Sequence, residues 1–452
     1  MATTDTHVPA FKNKRAMRAG LGAFVGTTIE WYDFYVYATA AALVFPRLFF
    51  PDTDPFLATM GAFFGSAVAF FVRPLGGIIF GHIGDRIGRR PALVITLVLM
   101  GVATVAVGLL PTYAAIGVAA PVLLMLLRAA QGLAVGGEWG GAALMSVESA
   151  PQKQRMFFGG FTQLGNPAGA VLSSGIFWLI SMGGDDFLMD WGWRIPFLAS
   201  IVLIGVGFWV RYRVEESPVF EQKVEGRDQS IPLVYALKNN WWPILLGIMI
   251  LPIASGFYYL ATTFVQNYAV EEAGIAVEHV LAAMTIASFV ELLVTLPLAA
   301  LSDKWGGKMM MYIGVFGSLM AMVPLLLVIG GGEVALMYIF VSLVRVMMSA
   351  TWAPLATIMA QMFRPQSRYT SMSLAYGIGA AVWGGMTPMA ALWLLEMTGT
   401  PWSVIALVAV MALINAVAMF LAPQHSDEAP VTASYEPRLD TTAGPTINGK
   451  EQ

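Results

Sequence analysis

The chain is poor in the residues that build metal centres and redox sites. It contains no cysteine, so neither a disulfide framework nor thiol chemistry is available. Its four histidines, His7, His82, His279 and His425, are scattered along the chain. No nucleophile–base set and no phosphate-binding loop accompanies them. We therefore expect no metal, no other cofactor and no enzymatic activity.

Charged residues are also scarce. Asp, Glu, Lys and Arg make up 12% of the chain, whereas soluble domains contain about 25%. The formal net charge is −3, which gives no basic surface for a nucleic-acid partner. In their place the chain is 57% hydrophobic, with a mean hydropathy of +0.70. This balance predicts a protein whose partner is the lipid bilayer.

Apolar segments of about twenty residues, the length that spans a bilayer, recur twelve times. They cover residues 21–44, 57–80, 92–110, 118–144, 157–181, 195–210, 242–269, 280–301, 309–329, 334–362, 372–395 and 404–422. We predict an all-α polytopic membrane protein with twelve transmembrane helices in two pseudo-symmetric halves of six.

The polar segments divide the chain into five parts. A polar arm without a signal-peptide cleavage site comes first, a charged linker separates the halves, and a polar tail is expected to be disordered. The predicted parts are the arm 1–18, the N-terminal half 19–213, the linker 214–240, the C-terminal half 241–422 and the tail 423–452.

The distribution of basic residues predicts the orientation. Eighteen lysines and arginines lie in the arm and the predicted inner loops, whereas the outer loops contain only Arg47 and Arg194. Cytoplasmic loops of membrane proteins retain the excess of Lys and Arg. Both termini are therefore expected in the cytoplasm, here of a bacterial inner-membrane protein.

One charged stretch organises the first half. Gly81-His82-Ile83-Gly84-Asp85-Arg86-Ile87-Gly88-Arg89-Arg90 lies between the second and third apolar segments, and we interpret it as a tight loop at the inner face. Its glycine spacing resembles the signature loop of the major facilitator superfamily. A weaker copy, Asp303-Lys304-x-Gly306-Gly307-Lys308, follows the eighth segment, with Gly307 where the first copy has Arg89. The expected gating residues are Gly81, Asp85, Arg86, Gly88, Arg89, Arg90, Asp303 and Lys304.

The two copies indicate an internal repeat. Arg128 lies 43 residues after Asp85, and Arg345 lies 42 residues after Asp303, so each arginine falls in the fourth helix of its half. Duplicated halves with a substrate site between them at mid-membrane are typical of secondary transporters. Arg345 is thus a candidate for binding an anionic substrate.

Ionisable residues inside the predicted spans are costly and mark functional candidates. Glu30 and Asp33 share one face of the first helix at spacing i, i+3, although the flanking aromatic residues would also fit an interfacial belt. We predict Asp33 as a cavity-facing proton carrier in contact with Arg128. Glu138 is the competing partner of Arg128, and these four residues form the proposed coupling set.

Two further ionisable residues, Arg73 and Glu291, each fit two roles. Arg73 precedes Pro74 near the inner end of helix 2, where a snorkelling side chain is favoured over a gate contact. Glu291 in helix 8 fits a structural or a functional role equally well. Polar and aromatic residues at helical spacing are predicted to line the cavity together with Arg128 and Arg345: Gln163, Asn166, Tyr258, Tyr259, Gln266, Trp352, Tyr376 and Trp383.

Several sequence blocks resemble one branch of the superfamily, the metabolite:proton symporters, whose members carry shikimate, α-ketoglutarate, citrate, proline or betaine. The blocks are Glu30-Trp31-Tyr32-Asp33-Phe34, Arg73-Pro74-Leu75-Gly76-Gly77, Gly136-Gly137-Glu138-Trp139-Gly140-Gly141-Ala142 and Trp191-Gly192-Trp193-Arg194-Ile195-Pro196-Phe197. The resemblance implies a proton-coupled importer of a small organic acid, shikimate-like or dicarboxylate-like, that works as a monomer by alternating access.

Other functions remain open at this point. An exporter or an osmolyte symporter of the same fold is the nearest alternative, and a channel or a membrane-embedded enzyme lies further away. The tail contains no apolar heptads that would form a coiled coil, which speaks against an osmosensing role.

Overall fold

The computed structural model describes residues 14–51, 53–87, 89–136, 154–213, 238, 240–363 and 368–423. It leaves out the side chains of residues 14–20, 22–23, 77–78, 81–87, 89–94, 208–213 and 369. Within these ranges the chain forms helices and no strand. The long helices are α1 Lys14–Leu43, α2 Pro55–Ile87, α3 Arg89–Leu109, α4 Ala119–Val135, α5 Arg155–Ser181, α6 Arg194–Arg213, α7 Trp241–Glu272, α8 Val277–Trp305, α9 Gly307–Gly330, α10 Val334–Met362, α11 Thr370–Thr398 and α12 Trp402–Leu421.

Seven of these helices, α2 and α7–α12, are by length and composition able to cross a membrane. An eighth is added if Asp185–Gly192 and Arg194–Gly207, which are bent by 51° at their junction, form one span. Shorter apolar stretches, Ile95–Leu109 and Ala119–Val135, belong to α3 and α4. The observed order of helices follows the predicted order of apolar segments.

The signature stretch differs from its predicted form. Helix α2 continues to Ile87 and α3 begins at Arg89, so the charged residues lie on the ends of two helices. Neither Pro74 nor the glycines at positions 81 and 84 end α2, which continues as a helix through all three. The predicted end of the fourth span at residue 144 lies outside the described residues.

Helix α7 lies at the centre of the molecule. Of its apolar window 83% is buried, whereas the other six candidate spans are between 44% and 50% buried. Three π-helical turns, Pro252–Phe257, Leu260–Phe264 and Tyr268–Glu272, interrupt its α-helical winding. Such turns change the direction in which neighbouring side chains project and occur often at functional sites.

Glycines allow the helices of the N-terminal half to approach closely. A Cβ atom on Gly132 of α4 would lie 2.1 Å from the carbonyl oxygen of Ala69 on α2. A Cβ atom on Gly169 of α5 would lie 2.6 Å from the backbone nitrogen of Tyr32 on α1. These contacts set how closely α4 packs on α2 and how closely α5 packs on α1.

Candidate functional site

A buried ion pair lies in the C-terminal half, between α8 and α10. Nη1 of Arg345 is 3.0 Å from Oε2 of Glu291, and the two side chains are 3% and 2% exposed. Nη2 of Arg345 donates a hydrogen bond to the hydroxyl of Ser288 at 2.7 Å, and Nη1 donates to the hydroxyl of Tyr258. Sequence reasoning found both charges but missed Ser288, which lies one helical turn before Glu291.

A chain of hydrogen bonds leads from this ion pair into the other half. The hydroxyl of Tyr258 on α7 donates to Oδ1 of Asn166 on α5. The same oxygen accepts a second hydrogen bond, at 2.7 Å, from the hydroxyl of Tyr35 on α1. Asn166 therefore joins the two halves at the centre of the molecule.

Aromatic rings surround this chain. Trp31 on α1 packs against Tyr35, Tyr258 and Trp352, with ring centroids 5.8, 6.3 and 5.9 Å apart. The ring of Trp352 on α10 also lies 6.0 Å from that of Tyr258. Trp31 and Tyr35 belong to the centre of the protein, so the interfacial-belt interpretation of these two residues is wrong.

Several buried hydrogen-bond donors near these hydrogen-bonded residues have no partner among the residues that the structure describes. They are Gln163 Nε2, Asn166 Nδ2, Tyr259 Oη, Arg345 Nε and Trp352 Nε1. Buried polar groups are normally paired, and an unpaired one calls for an explanation. A surface built in this way is suited to a ligand rich in hydrogen-bond acceptors.

Asp33 is buried in the N-terminal half, with 3% of its surface exposed. Its Oδ1 accepts a hydrogen bond of 2.9 Å from the hydroxyl of Ser200 on α6. Sequence reasoning missed Ser200, because a serine in an apolar helix carries no signal of its own. Glu30, one turn earlier on α1, is only partly buried.

Arg128 lies near Asp33 without direct contact. Its Nε donates to the carbonyl oxygen of Gly65 at 3.2 Å, and its Nη1 donates to Oε1 of Gln131 at 2.7 Å. Nε2 of Gln131 then donates to the hydroxyl of Thr104 at 2.7 Å. In the part of the chain that the structure describes, these neutral groups take the place of the predicted Arg128–Asp33 contact. The competing partner, Glu138, lies outside the described residues.

Arg73 does not snorkel, contrary to the favoured interpretation of the sequence. The residue is 6% exposed, and its guanidinium carbon lies 4.3 Å from the ring centroid of Phe34 and 4.3 Å from that of Phe70. The ring of Tyr259, from α7 of the other half, packs edge-on against Phe70 at 5.0 Å. The turn of α2 around Pro74 thus directs Arg73 inwards, towards the interface between the halves.

The remaining predicted lining residues have different surroundings. Gln266 and Tyr376 are buried. Oε1 of Gln266 has no hydrogen-bond partner within the described part of the chain. Trp383 is partly buried, and its ring nitrogen donates to the carbonyl oxygen of Ile248 on α7 at 3.0 Å, which is a packing contact between α7 and α11.

The second signature copy joins the halves at the predicted inner face. The carboxylate of Asp303, near the end of α8, accepts hydrogen bonds from the backbone nitrogens of Met156 and Phe157 at 3.1 and 3.0 Å. These N–H groups belong to the first turn of α5, where a negative charge is favourable. Lys304 is exposed. The first copy is described only in part. Gly88 lies outside the described residues, and of Gly81, Asp85, Arg86, Arg89 and Arg90 the structure describes the helical backbone alone.

A contact at the predicted outer face was not expected from the sequence. Arg47, in the short helix Phe45–Phe49, lies 3.4 Å from Asp185 and 3.2 Å from Glu271 at the end of α7. It borders a cavity of about 390 Å³ between the halves, which Glu278 also lines. Both ion pairs are solvent-exposed, so each contributes little to stability.

Comparisons with known proteins give the family. The family model described as Major Facilitator Superfamily matches residues 24–388 and 270–444. The chain belongs to the Major Facilitator Superfamily. Its fold is similar to a partially occluded, inward-open structure of the xylose transporter XylE from E. coli, with a TM-score of 0.71 and 18% identity over 92% of this chain and 99% of that one.

Curated relatives narrow the comparison to metabolite transporters. The inner membrane metabolite transport protein YhjE of Escherichia coli is 38% identical over 83% of this chain and 87% of the relative. The shikimate transporter of the same species is 38% identical over 87% and 91%. A proline/betaine transporter of Salmonella typhimurium is 32% identical over 89% and 83%.

The family and the fold confirm three predictions. The protein is an all-α, multi-pass membrane protein of the major facilitator fold, it transports metabolites, and it is not an enzyme. The buried polar residues between its halves are consequently candidates for substrate and coupling contacts.

Proposed function

We propose that the protein is a proton-coupled symporter that imports a small organic acid across the bacterial inner membrane. The observation that carries the proposal is the buried arrangement around Arg345, in which hydroxyl and amide groups from both halves converge and several donors remain unpaired. A carboxylate with neighbouring hydroxyls or carbonyls supplies the acceptors that these donors lack.

The proposed mechanism is alternating access by a monomer. The halves 19–213 and 241–422, joined by the linker 214–240, rock around the central site while both termini stay in the cytoplasm. Asp33 takes a proton from the outside when the outer face is open and releases it to the inside. Loss of its charge changes the field at Arg128 and lets the halves reorient.

The gates of this cycle have candidate residues at both faces. Asp303, which binds the first turn of α5, holds the inner face closed. Asp85 acts in the same way in the other copy, and Arg89 or Arg90 pairs with acidic residues of the neighbouring half. At the outer face Arg47 connects Asp185 with Glu271. Breaking one set of contacts while the other forms gives the two access states.

The shikimate transporter among the relatives supports an organic-acid substrate. The proline/betaine transporters support a zwitterionic osmolyte as the second candidate, because a zwitterion also presents a carboxylate to Arg345. A thermal-shift screen of purified protein against organic acids and zwitterions separates the two classes.

The test of symport uses proteoliposomes. The concentration inside the vesicles of the compound found in the screen should rise above its outside concentration when the outside is acidic. An uncoupler should abolish this accumulation. Flux that does not saturate with substrate would indicate a channel, and accumulation only with an inside-acidic gradient would indicate an exporter.

A further inference from the structure

The ion pair between Glu291 and Arg345 has an unusual composition of partners. Among the described residues, Glu291 is the only anion in contact with the guanidinium of Arg345. The other partners, Tyr258 and Ser288, are neutral hydroxyls. An incoming carboxylate can therefore replace Glu291 without disturbing the hydroxyl contacts, and Nε of Arg345 remains as a further donor for it.

Displacement from Arg345 leaves Glu291 in an unfavourable position. The side chain is 2% exposed, and an isolated carboxylate in a buried site is costly unless it is paired or protonated. The titratable groups that face it are Arg345 from α10, Tyr258 from α7 and Tyr35 from α1. The tyrosines are neutral, so none of these groups offers a second positive charge.

From this arrangement we infer that Glu291 is an internal substitute for the substrate carboxylate, and that binding of an organic anion to Arg345 transfers a proton from solution to Glu291. The inference rests on the proposed function and adds a second proton-binding residue to Asp33. Arg345 is the residue of this site that binds the substrate carboxylate.

The charges balance in this exchange. Before binding, the pair consists of Arg345 with one positive charge and Glu291 with one negative charge. Afterwards the substrate carboxylate carries the negative charge beside Arg345, and Glu291 is a neutral acid whose proton came from water. For a monocarboxylate, one negative charge and one proton enter together, so the step does not bring net charge into the membrane interior.

The same exchange reaches the interface between the halves. Tyr258 accepts a hydrogen bond from Arg345 and donates one to Asn166, which also binds Tyr35. A change in the position of Arg345 on α10 thus alters the series of hydrogen bonds that runs through Tyr258 and Asn166 to Tyr35 on α1. Substrate binding and the contact between the halves are coupled through these residues.

The experiment measures proton uptake on binding by the purified full-length protein. Asp33→Asn is the background, because it silences the other buried carboxylate. The probes are shikimate and 2-oxoglutarate, compared with the methyl ester of shikimate and the dimethyl ester of 2-oxoglutarate, which are uncharged and retain the hydroxyl or keto groups. Calorimetric titrations in two buffers of different ionisation enthalpy give the number of protons bound per ligand.

We expect at least one acid to take up close to one proton per molecule near neutral pH. Its dissociation constant should then rise roughly tenfold per pH unit, as linkage requires for one proton. The ester should bind more weakly and without proton uptake. Adding Glu291→Gln should abolish the uptake and make the affinity for the acid independent of pH.

Three results would overturn the inference. Binding of an acid without proton uptake in the Asp33→Asn protein would do so, as would equal affinities for acid and ester; both leave proton-coupled transport by way of Asp33 intact. Binding of neither acid would remove the proposed substrate class as well. The comparison of acid with ester needs no change at Glu291, so it decides the matter even if Glu291→Gln does not fold.

Discussion

Two buried carboxylates, one in each half, have opposite surroundings. Asp33 accepts a hydrogen bond from neutral Ser200 and lacks an ion-pair partner among the described residues, whereas Glu291 is paired with Arg345. An ion-paired acid is held in its charged form by its partner, and an unpaired one is free to change protonation with its environment. The contrast makes Asp33 the candidate for proton coupling and Arg345 the candidate for substrate binding.

Replacing Asp33 by Asn should lower uphill accumulation. Asn keeps the size and most of the hydrogen bonding to Ser200 but cannot carry a proton, so only Glu291 is left to carry a proton with the substrate. The mutant should accumulate less substrate at a given pH gradient in proteoliposomes and still exchange labelled for unlabelled substrate. Ser200→Ala, which retains the carboxylate, should still accumulate substrate. Normal accumulation by Asp33→Asn would move the coupling role elsewhere, with Glu138 and then Glu30 as the next candidates.

Neutralising Arg345 should weaken substrate binding. Loss of a charged hydrogen-bond donor costs about 1.5–3 kcal/mol, so the half-saturating concentration for Arg345→Gln should rise by roughly ten- to a hundredfold. The single mutant also leaves Glu291 unpaired, so Arg345→Gln with Glu291→Gln serves as the stability control. An unchanged half-saturating concentration in a folded mutant would rule out a carboxylate contact at Arg345.

At the scale of helices, glycine positions and helix ends determine how the elements meet. Gly132 permits the close approach of α4 to α2, and the carboxylate of Asp303 binds the first turn of α5 across the boundary between the halves. The first contact lies within one half and is structural. The second crosses between the halves and is the contact that we propose to open and close.

Gly132→Ala should destabilise the protein, because the added Cβ would lie 2.1 Å from a backbone oxygen of α2. Overpacking of this kind costs about 1–3 kcal/mol, and the melting temperature should fall by several degrees. Gly205→Ala on α6 is the matched control, since a Cβ there would meet no atom within 4 Å. Equal melting temperatures for the two variants would contradict the packing role of Gly132.

Asp303→Asn should weaken the inner gate without damaging the substrate site. The change removes the negative charge at the N-terminus of α5 but keeps an acceptor oxygen. Transport should fall while binding, measured by thermal shift, survives, and Asp85→Asn should have the same effect. Asp186→Asn, an exposed acid at the opposite face, is the control. Loss of binding in a folded Asp303→Asn protein would contradict a gating role.

At the scale of the whole molecule, the halves touch at three levels. The Arg47 contacts lie at the outer face, the Tyr35–Asn166–Tyr258 chain lies at the centre, and Asp303 lies at the inner face. A rocking motion around the central chain can break the outer or the inner contacts in turn. The assignment of outer and inner rests on the distribution of basic residues along the chain.

The orientation can be tested with single cysteines, because the protein has none of its own. A cysteine at Asp186, which is exposed, should react with an impermeant maleimide added to intact cells. One at Ser230, in the predicted linker, should react only after permeabilisation. Eighteen basic residues on the inside against two on the outside support this result, and the reverse labelling pattern would invert the topology.

The sequence by itself determined the class of protein, the order of the helices and the identity of the buried charges. Length and hydropathy mark the candidate spans, because the thickness of the bilayer sets the length of each helix. A charge inside such a helix remains visible in the sequence whatever its partner, which is why Asp33, Arg128, Glu291 and Arg345 were all found.

Only the tertiary structure decided which of these charges meet. Pairing depends on the rotation of each helix about its axis and on the distance between helices, which here follow from the glycine contacts of α4 and α5 and from the π-helical turns of α7. For this reason Arg128 binds Gln131, Arg73 packs against two phenylalanine rings, and Arg345 joins Glu291 to a tyrosine that reaches across to the other half.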